Sequence, residues 1–225
     1  MVNRQYLPLR LRNMSEPKPF VITIVGAESS GKTTLAMALA EHYQSPWIPE
    51  YAREYLMALD RPYNSEDLEV IAVRQLEIIH NFVRREASVV SDFVGRTSPN
   101  PLMGVLYDDN QSKIQNPKSK ILIVDGGMLN LKMWSRIKYG KTIPIVDEAL
   151  KKDVTDLYLL CRPHKEWIAD SLREAPSLLE RVWIYNQYLE ELARQEKPFE
   201  IIHREENNIE KIAMNLIRNH IQSDI

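Results

Sequence analysis

Eight consecutive residues, Gly26-Ala27-Glu28-Ser29-Ser30-Gly31-Lys32-Thr33, fit the spacing G-x-x-x-x-G-K-[ST] and carry the most explicit chemistry in the chain. A loop of this kind turns successive backbone N–H groups toward one phosphate, and the positive end of the helix that follows adds to the field. Lys32 is then expected to reach the β- and γ-phosphates of ATP as a point charge. The hydroxyl of Thr33, with Thr34 beside it, is expected at the phosphates and at Mg²⁺. A second candidate is Asp125, the carboxylate that ends the apolar run Ile-Leu-Ile-Val-Asp over residues 121–125. In enzymes with this loop, that position holds the magnesium shell or orients the nucleophile. The plain alternative is a strand-end aspartate that caps a helix.

Two further groups surround this pair. Tyr51-Ala52-Arg53-Glu54 follows the second apolar run, and ligands of open α/β sheets sit beyond the carboxyl ends of the strands. Arg53 and Glu54 then face the cleft, or they form a surface ion pair at a helix start. After the fourth run comes Arg162-Pro-His-Lys-Glu-Trp-Ile-Ala-Asp-Ser-Leu-Arg173-Glu174, with Arg181 eight residues beyond Arg173. Arginines there can fold over ATP and stabilise charge on the transferring phosphoryl group, and Trp167 can stack on an aromatic substrate. The competing reading makes Trp167 a core plug and the arginines a solvated helix face.

These residues need a scaffold, and the pattern of the chain predicts one. Five apolar runs, at residues 20–25, 46–49, 121–125, 157–161 and 199–203, read as strands separated by helical patterns. That alternation is the mark of a parallel sheet with crossover helices. The spacing predicts a helix from Asn64 or Ser65, with Leu68, Ile71, Ala72, Gln75, Ile79 and Phe82 on one face. Another is expected from Ser177, with Glu180 completing a capping box and Val182, Tyr185, Leu189 and Leu192 turned inward. A last one carries Ile209, Ile212, Ala213, Leu216 and Ile217. Residues 88–118, rich in Gly, Pro, Asn, Asp and Ser, break the rhythm and read as an insertion. Residues 1–19 read as a tail ahead of a single domain over residues 20–225.

Composition bounds the remainder. The chain of 225 residues is long enough for one α/β domain with a substantial core. A net charge of −2 gives no sign of nucleic-acid binding, and no apolar run approaches a membrane span. The single cysteine, Cys161, excludes an internal disulfide and fits a reducing, cytoplasmic setting. It ends an apolar run and reads as a buried strand residue.

The loop Gly-Ala-Glu-Ser-Ser-Gly-Lys-Thr-Thr-Leu-Ala, followed by Pro49-Glu-Tyr-Ala-Arg-Glu54, resembles the NadR-type ribosylnicotinamide kinase family. The later stretches Tyr158-Leu-Leu-Cys, Glu166-Trp167 with Asp170 and Leu172-Arg173, and Trp134 to Gly140 are similar to that family as well. The resemblance covers about residues 20 to 205 apart from the insertion. It implies a kinase-like domain of the P-loop class, a five-stranded parallel sheet ordered 2-3-1-4-5, and phosphorylation of nicotinamide riboside with ATP and Mg²⁺. It implies a stacking role for Trp167, substrate contacts at Tyr51, Arg53, Glu54 and Asp170, and lid arginines at Arg173 and Arg181. Family members with adenylyltransferase and DNA-binding domains carry them ahead of the kinase; with some twenty residues there, those activities are expected to be absent. Two departures matter: the insertion over residues 88–118, and the turn after the third strand. The family has Asp-Thr-Asp after the third strand, whereas this chain has Asp125-Gly126-Gly127, so the second acid is missing. Alternatives within reach of the sequence are a kinase for another nucleoside or metabolite, and an ATP-binding switch that has lost transfer activity.

Overall fold

The computed structural model describes residues 18–87, 120–169, 172–203 and 208–223. The tail over residues 1–17, the whole insertion over residues 88–118 and Asp170 lie outside the described residues. Five strands, β1 (Phe20–Gly26), β2 (Trp47–Ile48), β3 (Ile121–Asp125), β4 (Leu157–Cys161) and β5 (Phe199–Ile202), form one parallel sheet in the order β2-β3-β1-β4-β5. The expected sheet and strand order are therefore present. β2 is the shortest strand, reduced to two residues of the apolar run from 46 to 49.

β1 lies in the centre, and its side chains alternate between two cores. Ile22 and Ile24 pack with Leu35, Ala36 and Leu39 of α1 (Lys32–Tyr43) and with Ala213 and Ile217 of α7 (Ile209–Ser223). Val25 faces the other way, toward Leu129, Met133, Tyr185 and Tyr188. Those residues belong to α4 (Gly127–Tyr139) and α6 (Leu178–Gln195). Val21, Ile48, Leu122 and Val124 meet Ile78 and Ile79 of α3 (Ser65–Ala87). Both faces are covered, which is why the strands read as continuous apolar runs rather than as alternating ones. Leu39, Leu68 and Ile123 are completely buried, and truncating any of them to alanine should cost about 2–5 kcal/mol.

Two short helices complete the frame. α2 (Tyr51–Met57) follows β2 directly, and α5 (Pro144–Lys151) begins with proline, whose missing N–H is no loss at a helix start. The helix α6 departs from its sequence reading. Ser177 is its N-cap residue but makes no side-chain cap hydrogen bond among the described residues, and Val182 is 40 % exposed rather than turned inward. The inward face is instead lined by Arg181, Tyr185, Tyr188, Glu191 and Leu192. Buried Glu191 is held by Lys132 at 2.8 Å, Arg136 at 3.1 Å and Arg194 at 2.9 Å, which lets a charged residue occupy that face.

Candidate active site

The carboxyl ends of β1, β2 and β3 converge, and the chemistry-bearing residues gather there. β1 runs into the glycine loop, and a Cβ on Gly26 would stand 2.6 Å from the carbonyl oxygen of Cys161 on β4. Only glycine lets the loop leave the sheet so close to its neighbour. Ser29 adopts a left-handed conformation at φ 55°, and Gly31 caps α1 at φ 86°. Lys32 and Thr33 are therefore the first residues of a helix whose N-terminus faces the loop.

Inside this cradle Lys32 donates from Nζ to the carbonyl oxygen of Ala27 at 2.9 Å. The Thr33 hydroxyl donates to Asp125 Oδ2 at 2.6 Å. Asp125 is 2 % exposed, and its other oxygen, Oδ1, has no hydrogen-bond partner among the described residues. The buried hydroxyls of Ser29 and Ser30 are likewise without a partner there. Buried polar atoms without partners are rare in native proteins, and three around one loop suit oxygen-rich ligands. They fit a nucleotide phosphate with Mg²⁺, for which Thr33 Oγ1 and Asp125 Oδ1 are the oxygen donors on hand. No group of three or more His, Cys, Asp or Glu among the described residues is arranged to hold a metal. Burial pushes the Asp125 carboxyl above its ordinary range, with Lys32 and the Thr33 hydrogen bond acting in the opposite direction.

A residue that sequence reasoning did not single out joins the site. Glu50, the N-cap residue of α2, faces Asp125, Lys32 and Glu28 closely enough for their charges to act on it. Burial, then the Asp125 charge, raise its pKa, while Lys32 and a hydrogen bond from Asn130 lower it. Asn130 Nδ2 stands 3.4 Å from Glu50 Oε1, and Asn130 Oδ1 accepts a 2.8 Å hydrogen bond from the Tyr188 hydroxyl. The available signal was position: Glu50 follows the strand end by two residues, inside the quoted Pro49–Glu54 motif.

The segment after β4 closes the other side. Glu28 of the glycine loop accepts the backbone N–H groups of both Glu174 and Ala175 through Oε2, at 2.9 Å each. The Glu174 side chain is held in turn by Tyr63 at 2.9 Å and Lys138 at 2.6 Å, and Trp134 donates to the Tyr63 hydroxyl at 3.0 Å. Glu28 thus ties the segment to the loop. Trp167 is half-buried, with the guanidinium carbons of Arg181 and Arg173 at 5.3 and 6.0 Å from its ring centre. Arg173 donates to the Ile168 carbonyl. Arg181 is 1 % exposed and donates to the His164 carbonyl at 2.8 Å, so it organises the segment from beneath. Its Nε has no hydrogen-bond partner among the described residues.

The remaining expected residues divide by depth. Tyr51 is half-buried, and its backbone N–H donates to Gln75 Oε1 at 2.7 Å, which fixes the start of α2. Arg53 is exposed, and Glu54 is half-buried in the first turn of α2. Asp170 lies outside the described residues.

This sheet order, with helices on both faces and a phosphate loop after the central strand, is the fold of P-loop kinases. The chain belongs to the family described as "AAA domain", whose model matches residues 21–94 and 102–210. It resembles the NadR type within that fold. It is 24 % identical over 209 residues to the "Trifunctional NAD biosynthesis/regulator protein NadR" of Salmonella typhimurium, covering 90 % of this chain and 41 % of that protein. The chain thus spans less than half the length of that relative. A solved structure of NadR protein in complex with NR superposes with a TM-score of 0.64 at 19 % identity, covering 90 % of this chain and 51 % of the other. Thymidylate kinase from Ehrlichia chaffeensis superposes at 0.55 and 14 % identity, covering 90 % and 98 %. No helix among the described residues is long and apolar enough to cross a membrane.

Proposed function

We propose that this chain is an ATP-dependent kinase for a nucleoside, with nicotinamide riboside as the first candidate acceptor. The observation that carries the reading is the pairing of Thr33 with Asp125 beneath Lys32, with a second carboxylate, Glu50, facing the same point. Lys32 and the loop N–H groups would hold the phosphates, and Thr33 with Asp125 would hold Mg²⁺, which would supply charge neutralisation during transfer. Catalysis of this kind is mostly positioning and electrostatic stabilisation in a site that excludes water. Glu28 contributes by keeping the segment of Trp167 and Arg173 against the loop. Arg173 and Arg181 serve as charge donor and organiser of that segment respectively.

The choice of acceptor is supported by the likeness to NadR with NR; Trp167 and Tyr51 are the aromatic side chains proposed to stack on it. Tyr51, Arg53, Glu54 and Asp170 are the proposed acceptor contacts. A cytoplasmic setting, a small-molecule partner and no nucleic acid complete the reading. The test is ADP release by the purified chain with ATP and Mg²⁺ across a panel of nucleosides that includes nicotinamide riboside. Acceptor-dependent ADP supports a kinase. ADP release indifferent to every nucleoside favours an ATP-driven switch instead.

A further inference from the structure

We propose that Asn130 and Tyr188 are positioning residues that set the Glu50 carboxylate against the acceptor hydroxyl, so that Glu50 replaces the acid that the turn after β3 lacks. The inference rests on the kinase reading above and assigns a part of the site that reading leaves open.

The turn itself provides the first observation. Asp125 is followed by Gly126 at φ 83° and Gly127 at φ 63°, both in the left-handed region. A Cβ on Gly126 would lie 2.7 Å from Asn130 Nδ2 and 3.3 Å from Glu50 Oε1. Any side chain at that position would displace the amide and crowd the carboxylate. The bare turn is thus what lets an acid from β2–α2 approach the end of β3.

The second observation is the chain of groups behind Glu50. The Asn130 amide bridges Glu50 on one side and the buried Tyr188 hydroxyl on the other, at 3.4 and 2.8 Å. Because the tyrosine hydroxyl donates to Asn130 Oδ1, the amide is oriented with its NH₂ toward Glu50. Tyr188 is itself 4 % exposed and packed with Val25, Leu129 and Leu160, so the orientation is anchored in the core. The three residues lie on α6, on α4 and at the start of α2, elements that share no local sequence.

The third observation removes the competing acid. Asp125 is bonded through Oδ2 to Thr33, and under the kinase reading its remaining oxygen, Oδ1, would be committed to the metal. Glu50 is then left for the hydroxyl. As the acceptor oxygen bonds to the γ-phosphorus, the bond from that phosphorus to the β–γ bridging oxygen breaks. The electron pair leaves with ADP, and the hydroxyl proton passes to the Glu50 carboxylate.

The test combines Tyr188→Phe, Asn130→Ala and Glu50→Gln with their double variants. Glu50→Gln should lower acceptor-dependent kcat about 100-fold, the usual loss for a general base. Tyr188→Phe and Asn130→Ala should each lower it roughly tenfold and leave the KM for ATP within about twofold, since neither touches the phosphate loop. On the Glu50→Gln background, the same changes should add no further loss, because the group they position is gone. Full additivity, or wild-type kcat in Tyr188→Phe, overturns the proposal. A crystal structure of Tyr188→Phe beside that of the wild type reads the placement without substrate: the carboxylate of Glu50 should leave its position over Gly126, and an unmoved carboxylate contradicts the assignment. Failure of the kinase reading is separately visible, as wild-type protein that releases no ADP with any nucleoside.

Discussion

Asp67 and Asp125 are both 2 % exposed, yet the protein treats the two carboxylates in opposite ways. Asp67 accepts from the Arg61 guanidinium twice at 2.8 Å, from the Tyr55 hydroxyl at 2.8 Å and from the Asn64 backbone at 2.8 Å. Asn64 returns the favour by capping α3 through Glu66 and Asp67 N–H groups. The Arg61 hydrogen bonds are the largest influence and hold the Asp67 carboxyl far below the usual carboxylate range. Among the described residues Asp125 has one donor, Thr33, and one oxygen without a partner, and burial pushes its pKa upward. A carboxylate whose lone pairs are filled by its own chain holds the fold together. One with an unfilled oxygen at the end of a strand is, in the function proposed above, the one that meets the ligand.

That contrast can be broken by substitution. The largest effect is expected from Lys32→Ala, which should reduce phosphoryl transfer by about 1,000-fold or more and leave the melting temperature unchanged. Lys32 is a half-buried side chain of the loop rather than a core residue, so its loss opens no cavity. Steady-state kinetics with a thermal melt would check both halves, and near-normal turnover would remove the loop from the mechanism.

Asp125→Asn comes next. Turnover should fall about 100-fold or more while ATP affinity changes little, because the charge matters most where charge moves. Stability should hold or rise, since the raised pKa means that the fold favours the neutral form. Equal losses of nucleotide affinity and turnover, with a lower melting temperature, would make Asp125 structural.

Asp67→Asn should give the mirror image: a loss of about 2–3 kcal/mol of stability with kinetics intact, as an amide cannot accept all four hydrogen bonds. The sign with pH follows. A depressed folded pKa contributes stability that is fully present above the unfolded value of about 4 and is lost as pH falls below it. Chemical denaturation of wild type and variant should therefore converge as pH drops below about 4; a constant gap would refute the argument. Smallest is Trp167→Ala, expected to raise acceptor KM by at least roughly fivefold, from a base stack worth about 1–3 kcal/mol, with the KM for ATP unchanged. A lower melting temperature with unaltered kinetics would mark Trp167 as packing.

What could be read from the sequence follows how local each feature is. The glycine loop is one continuous stretch from strand to helix, so its spacing alone placed Lys32, Thr33 and the sheet beneath them. Asp125 was legible because a buried parallel strand is a continuous apolar run that its acid visibly ends. Glu50 was not, because its importance depends on Asn130, 80 residues later, and on Tyr188 beyond that. Arg181 looked like a charge for ATP because helical periodicity does not say which face of α6 is inward; the face is set by Tyr185, Tyr188 and Leu192. Glu28 read as part of the phosphate cradle, and its contacts with Glu174 and Ala175, 146 and 147 residues away, have no local signal.

The central claim is that Lys32, Thr33 and Asp125 form a site that transfers phosphate to a nucleoside. It is tested most directly by following ³¹P NMR of wild-type protein and Asp125→Asn with ATP, Mg²⁺ and nicotinamide riboside. The account predicts that, with wild type, the γ-phosphate signal gives way to ADP and a phosphomonoester of the riboside in equal amounts. With Asp125→Asn, the same products should form about 100-fold more slowly or not at all. ATP breakdown that yields only inorganic phosphate, at a rate the riboside does not change, would contradict it.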